Sequence, residues 1–64
     1  MYHYIRKADN QGYYTDNPEC IYDVVMKDTG NEELAIDASS WCEIAVIGQS
    51  YEHDVFTIYI EDDD

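Results

Sequence analysis

Asp16-Asn17-Pro18-Glu19 marks where a helix starts. A side-chain acceptor stands at the cap, proline takes the first helical position with its φ already set, and an acid sits in the first turn beside the positive end of the helix dipole. Asp16 is read as the capping residue. Ile21, Val24, Val25 and Met26 then form an apolar stripe at helical spacing, and Thr29-Gly30 supplies a stop, so a helix is predicted over 18–28.

Downstream, Leu34, Ala38, Trp41, Cys42 and Ala45 recur on one helical face, which predicts a second helix over 32–47 ended by Gly48. A shorter version also fits, because Ser40 and Glu43 have capping-box spacing and Leu34-Ala35-Ile36 could be extended; the longer helix is preferred. Upstream, residues 1–7 read as a strand, with Tyr2 and Tyr4 on one face and His3 and Ile5 on the other. Ala8-Asp9-Asn10-Gln11-Gly12 collects turn formers and leads to a short return strand at Tyr13-Tyr14-Thr15. Residues 49–54 read as polar connection. Val55-Phe56-Thr57-Ile58-Tyr59-Ile60 is the most strand-like run, placed in mid-sheet, with Phe56, Ile58 and Ile60 sharing a face. The order β-β-α-α-β gives an α+β fold, a small antiparallel sheet with two helices packed on one face. It comprises a single domain over 1–60 and an acidic, flexible tail over 61–64.

With 64 residues the chain makes one domain, and a chain this short buries only about 60% of its unfolded surface, which leaves dimerisation open as a further source of burial. Fifteen acidic residues against three basic ones give a formal net charge of −12. Direct nucleic-acid binding is disfavoured, because that affinity comes from Lys and Arg displacing counterions, and anionic membranes are disfavoured for the same reason. No stretch approaches the length of a membrane helix and the first residues lack the order of a secretory signal, so a cytoplasmic location is expected. Cys20 and Cys42 then read as reduced, packing thiols.

Chemistry-bearing motifs are missing from the sequence. His3, Cys20, Cys42 and His53 stand singly, without the close pairs that fix a zinc site, and no metal or cofactor is expected. His53-Asp54 places an imidazole beside a carboxylate, but neighbours on an extended segment point apart, so loop polarity is the preferred reading. Gly12, Gly30 and Gly48 are isolated, unlike a phosphate-binding loop. The terminal Glu61-Asp62-Asp63-Asp64 lacks the alternating ligands and glycine of a calcium loop. No catalytic residue is assigned, and the chain is read as a non-enzyme.

Carboxylates four apart on a helix repel by roughly 0.2–0.5 kcal/mol per pair, so folding alone gives no reason to favour them. Glu19 with Asp23, and Glu33 with Asp37, have this spacing. They are the predicted contacts to a host protein with a basic surface, in the manner of acidic bacteriophage inhibitors that imitate nucleic acid. The competing reading is charge used for solubility alone. A second predicted interface is an aromatic sheet face anchored by Tyr2, Tyr4 and Tyr59, which would suit a small structural or regulatory module.

The segment Ala38-Ser39-Ser40-Trp41-Cys42-Glu43-Ile44-Ala45, followed by Gly48, Tyr51-Glu52 and Phe56-Thr57-Ile58-Tyr59-Ile60-Glu61, resembles the C-terminal half of short uncharacterised proteins from phages and mobile elements of gut Gram-positive bacteria. Gly12-Tyr13-Tyr14-Thr15-Asp16 is similar too, and this run together with 38–61 covers about half of the chain. The resemblance implies a setting and no activity.

Overall fold

Two short alternating strands joined by turn formers open the chain as a hairpin. β1 (Tyr2–Arg6) pairs antiparallel with β2 (Gln11–Thr15), Tyr4 lying opposite Tyr13. Asn10 takes the left-handed conformation at φ 57, and the Asp9 carboxylate accepts the Gln11 N–H at 3.2 Å and closes the loop. The computed structural model describes residues 1–62.

Helix α1 (Pro18–Thr29) begins as the proline signal predicts. The cap is Asn17 rather than Asp16: its side-chain oxygen accepts the Glu19 N–H at 3.0 Å. At the other end Gly30 is left-handed, with φ 67, and its N–H bonds to the Met26 carbonyl. Helix α2 (Glu32–Ile44) follows after a single link, capped by Asn31, whose side chain accepts from Leu34 N–H at 3.1 Å. The longer version of this helix is the one formed. It stops at Ile44, however, and not at Ile47.

The early stop has a local cause. Ala45 is extended, and Val46 to Gln49 form a β-turn in which Gly48, at φ 96, occupies the position that needs glycine. Gly48 N–H donates to the Ile60 carbonyl and Ile60 N–H to the Gln49 carbonyl, each at 3.1 Å. These bonds draw the chain onto the sheet edge, where β3 (Ser50–Glu52) forms. That strand lies in the segment expected to be polar connection, and it makes the order β-β-α-α-β-β. The last strand, β4 (Phe56–Ile60), lies between β1 and β3, and the sheet order is β2-β1-β4-β3, all antiparallel.

Side-chain alternation divides the sheet, although Thr57, on the face away from the helices, is also buried. Tyr4, Phe56, Ile58 and Ile60 face the helices and are buried together with Ile21, Val25, Ala35, Ala38 and Cys42. Burial of each large aliphatic or aromatic side chain contributes about 1.5–3 kcal/mol. The small Ala35 and Ala38 let α2 sit close to its neighbours, and the Tyr4 and Phe56 rings stack at 5.0 Å. Tyr51 lies parallel to Phe56 at 5.9 Å and meets Trp41 at a tilt, at 5.5 Å.

Glu61, expected in the tail, is held at the end of the sheet. Its N–H donates to the Met1 carbonyl at 2.9 Å, and its side chain lies 3.0 Å from His3 Nδ1. Asp63 and Asp64, the last two residues of the predicted tail, lie outside the described residues.

Candidate functional site

The fold consumes two of its three cations internally. Arg6 Nη2 pairs with Asp9 at 2.7 Å and Nη1 with the buried Asp28 at 3.0 Å. Hydrogen bonds from Arg6 hold the Asp9 carboxyl below its ordinary range, while both carboxylates push the guanidinium further up. Lys7 reaches Glu52 at 3.5 Å, and Glu52 also accepts from the Thr57 hydroxyl at 3.2 Å. Lys27 has no ion pair among the described residues.

The outward side of the helices is the reverse. Glu19 and Asp23 on α1, and Glu32, Glu33, Asp37 and Glu43 on α2, are exposed, against Lys27 alone. Among the described residues Glu19, Asp23, Glu33 and Glu43 have no cationic partner. Their exposure follows from the apolar stripes that turn Ile21 and Val25, and Ala35, Ala38 and Cys42, inward.

The four predicted contact carboxylates do not form one edge. Asp23 lies on the β2 side, where Tyr13 has its hydroxyl pKa raised, first by hydrogen bonding to Cys20 and lastly by Asp23. Asp37 lies at the opposite edge and accepts the Tyr51 hydroxyl at 2.6 Å, a bond that serves the fold. Burial, then this bond and the Asp37 charge, push the Tyr51 hydroxyl up to about 12. Glu19 shares the α1 edge with Asp23, and Glu33 lies in the first turn of α2.

Tyr2, Tyr4 and Tyr59 do not form one surface either. Tyr4 is 1% exposed, faces α1, and donates its hydroxyl to Asp28 at 2.8 Å; Tyr2 is half-buried on the same helix-covered side. Tyr59 alone of the three faces outward from the uncovered side. Its aromatic neighbours there are His3 and Tyr14, whose rings stack at 4.0 Å and 11°, with His3 and Tyr59 at 6.4 Å. Beside them His3, Ile5, Tyr59, Glu61 and the Gly48-Gln49 turn line a shallow cavity of about 360 Å³. Glu61 Oε2 is buried there and lacks a hydrogen-bond partner unless His3 Nδ1 carries the proton.

His53 does not orient toward a catalytic partner: its Nδ1 accepts the Val55 N–H at 3.1 Å and its ring stacks on Phe56, so it shapes the β3–β4 turn. Both cysteines are free thiols, and Cys42 lies in the core. No group of three or more His, Cys, Asp or Glu side chains that could hold a metal ion occurs among the described residues, and none of their helices is long and apolar enough to cross a membrane.

One surface was missed in the sequence. Ile44, Val46 and Ile47 are 81%, 61% and 65% exposed, and Ile36 is 51% exposed on the same helix. The signal was present: Leu34, Ala38, Trp41, Cys42 and Ala45 already account for the core-facing stripe of α2, so Ile36 and Ile44 fall off it. No family model, curated protein or solved structure matches the chain.

Proposed function

We propose that this chain is a non-enzymatic binding protein that engages a basic, nucleic-acid-binding surface of a host protein through the negative outer side of its helices. The observation that carries this reading is the six exposed carboxylates on α1 and α2 against one lysine, while Arg6 and Lys7 are spent on pairs within the fold. Carboxylates carried on packed helices present charge to a cationic groove with no backbone left to order, and they steer encounter at long range. Glu19, Asp23 and Glu33 are the contact residues. Asp37 contributes field, with its geometry set by Tyr51. A phage or mobile-element setting in a bacterial cytoplasm suits such an inhibitor and agrees with the sequence resemblance.

Capture of partners from a lysate of a Gram-positive gut bacterium at two ionic strengths tests the reading. Partners held by charge are recovered at low salt, reduced at moderate salt, and lost by the Glu19→Lys/Asp23→Lys variant. Recovery of the same partners by that variant overturns the proposal.

A second reading, a small regulatory module that associates through an aromatic sheet face, is supported by Tyr14 and Tyr59, 59% and 40% exposed on the side without helices. Its interface is His3, Tyr14 and Tyr59. Such an interface persists at moderate salt, which separates the two readings.

A further inference from the structure

The turn that leaves α2 is built to display aliphatic side chains. Ala45 N–H bonds to the Trp41 carbonyl at 2.9 Å, Val46 N–H to Gln49 Oε1 at 3.0 Å, Gln49 N–H to the Val46 carbonyl at 3.1 Å, and Gly48 N–H to the Ile60 carbonyl at 3.1 Å. The backbone is thus fixed on both sides, to the helix end and to the central strand. Even so, Ile44, Val46 and Ile47, three of four consecutive residues, each leave more than 60% of their surface in water. A flexible loop would fold such side chains back onto the protein, whereas this one is held with them outward. Exposed apolar surface on a rigid frame is the ordinary form of a binding anchor, because little order remains to be lost on association.

Charge selects the occupant. The last turn of α2 holds no basic residue and does hold Glu43, so the negative end of the helix dipole and a carboxylate stand together beside the aliphatic group, uncompensated. A second copy, with a net charge of −12, is repelled from this place. We infer that Ile44, Val46 and Ile47, with Glu43 beside them, form the anchor of the binding surface, and that they take a basic amphipathic helix carrying aliphatic side chains on one face and Lys or Arg at its margin. The aliphatic contact supplies affinity, and the cations meet Glu43 and the α2 C-terminus. This inference rests on the reading of the chain as an acidic binding protein and moves the centre of contact from the α1 edge to the end of α2.

The test uses the full chain and two synthetic helical peptides of equal positive charge, one built from Lys and Leu at helical spacing and one with every Leu replaced by Gln. Nuclear magnetic resonance titration gives both affinity and location. The Lys/Leu peptide is expected to bind at least about tenfold tighter than the Lys/Gln peptide and to shift resonances of Ile44, Val46 and Ile47 most. The Ile44→Ser/Ile47→Ser variant, which changes exposed positions only, should bind the Lys/Leu peptide at least about tenfold more weakly and the Lys/Gln peptide unchanged. Equal binding of the two peptides, unaffected by that variant, overturns the inference and leaves the acidic-surface reading standing. Binding of neither peptide at low salt overturns both. A concentration-dependent dimer in sedimentation that the variant abolishes assigns the surface to a second copy and overturns the inference.

Discussion

The Tyr4 hydroxyl donates to Asp28 Oδ2 at 2.8 Å, joining the central strand β1 to the last turn of α1 through a carboxylate only 5% exposed. Arg6, two residues along the same strand face, reaches the other oxygen of Asp28 at 3.0 Å. One buried acid in the most acidic of backgrounds therefore receives two donors from β1. Removing it leaves a hydroxyl and a guanidinium facing each other with nothing between. Asp28→Ala is expected to lower stability by roughly 2 kcal/mol, less than for a fully buried pair because Arg6 keeps access to water and its pair with Asp9. Tyr4→Phe, which removes one hydrogen bond and keeps the ring, is expected to cost about 1 kcal/mol. Urea unfolding midpoints of the two variants check both, and an Asp28→Ala midpoint equal to that of the parent would contradict the account.

The caps give a sharper comparison. Asn17→Ala removes the side-chain acceptor for Glu19 N–H and is expected to cost about 1 kcal/mol. Asp16→Ala, one residue earlier, is expected to stay within about 0.5 kcal/mol of the parent, since its side chain does not cap the helix. Thermal unfolding of the two single variants distinguishes the cap, and the reverse order of effects would restore Asp16 to that role.

How far the sequence was legible follows from what each signal reports. Pro18 and Gly30 act on their own backbone, so the limits of α1 could be read directly. The alternation within β4 is also local, and it placed Phe56, Ile58 and Ile60 on one face. Which face of β1 joins them depends on pairing, so Tyr4, expected beside Tyr59 on an open aromatic face, lies in the core with Phe56 and Ile58 instead. β3 escaped notice because Ser50-Tyr51-Glu52 has three residues and a single apolar one, and it becomes a strand through the bonds that Gly48 and Gln49 make with Ile60. The end of α2 was misplaced for the same reason: Gly48 serves a turn toward the sheet rather than a helix cap. At the candidate site, the carboxylate spacing was visible in sequence, but the separation of Asp23 and Asp37 to opposite edges depends on which strand each helix covers.

Alkaline stability carries the mark of two tyrosines. Burial, then the bond to Asp37, raise the Tyr51 hydroxyl from 10.0 to about 12, and burial, then Asp28, raise Tyr4 in the same direction. The folded state thus holds these protons more tightly than the unfolded chain. The stability they confer is complete below pH 10; the part due to Tyr51 is lost as pH climbs from 10 through about 12, and the part due to Tyr4 continues to fall above that. Unfolding midpoints should fall over that interval, and Tyr51→Phe should reduce the fall. A midpoint flat across the interval, in the parent and in Tyr51→Phe alike, would contradict the shift.

Thiol reactivity should separate the two cysteines. Burial, then the neighbouring Glu43, push the Cys42 thiol up to about 11, so near neutral pH it is both protonated and shielded. Cys20 is half-buried on α1. With a thiol reagent the native chain should label once quickly, at Cys20, and a second time only at the rate of unfolding. Rapid labelling of Cys20→Ser would show that Cys42 is open to solvent.

The β1–β4 ladder has a consequence for biosynthesis. Tyr2 is paired with Ile60, Tyr4 with Ile58 and Arg6 with Phe56, so the middle of the sheet joins strands far apart in sequence. Until β4 has been synthesised, the hairpin and the two helices lack the strand that carries Phe56, Ile58 and Ile60, and Ile21, Val25 and Ala38 cannot close over it; pieces this short are marginal alone. Contacts of such long sequence separation are slow to form. Closure of this core accordingly waits for β4 to reach β1.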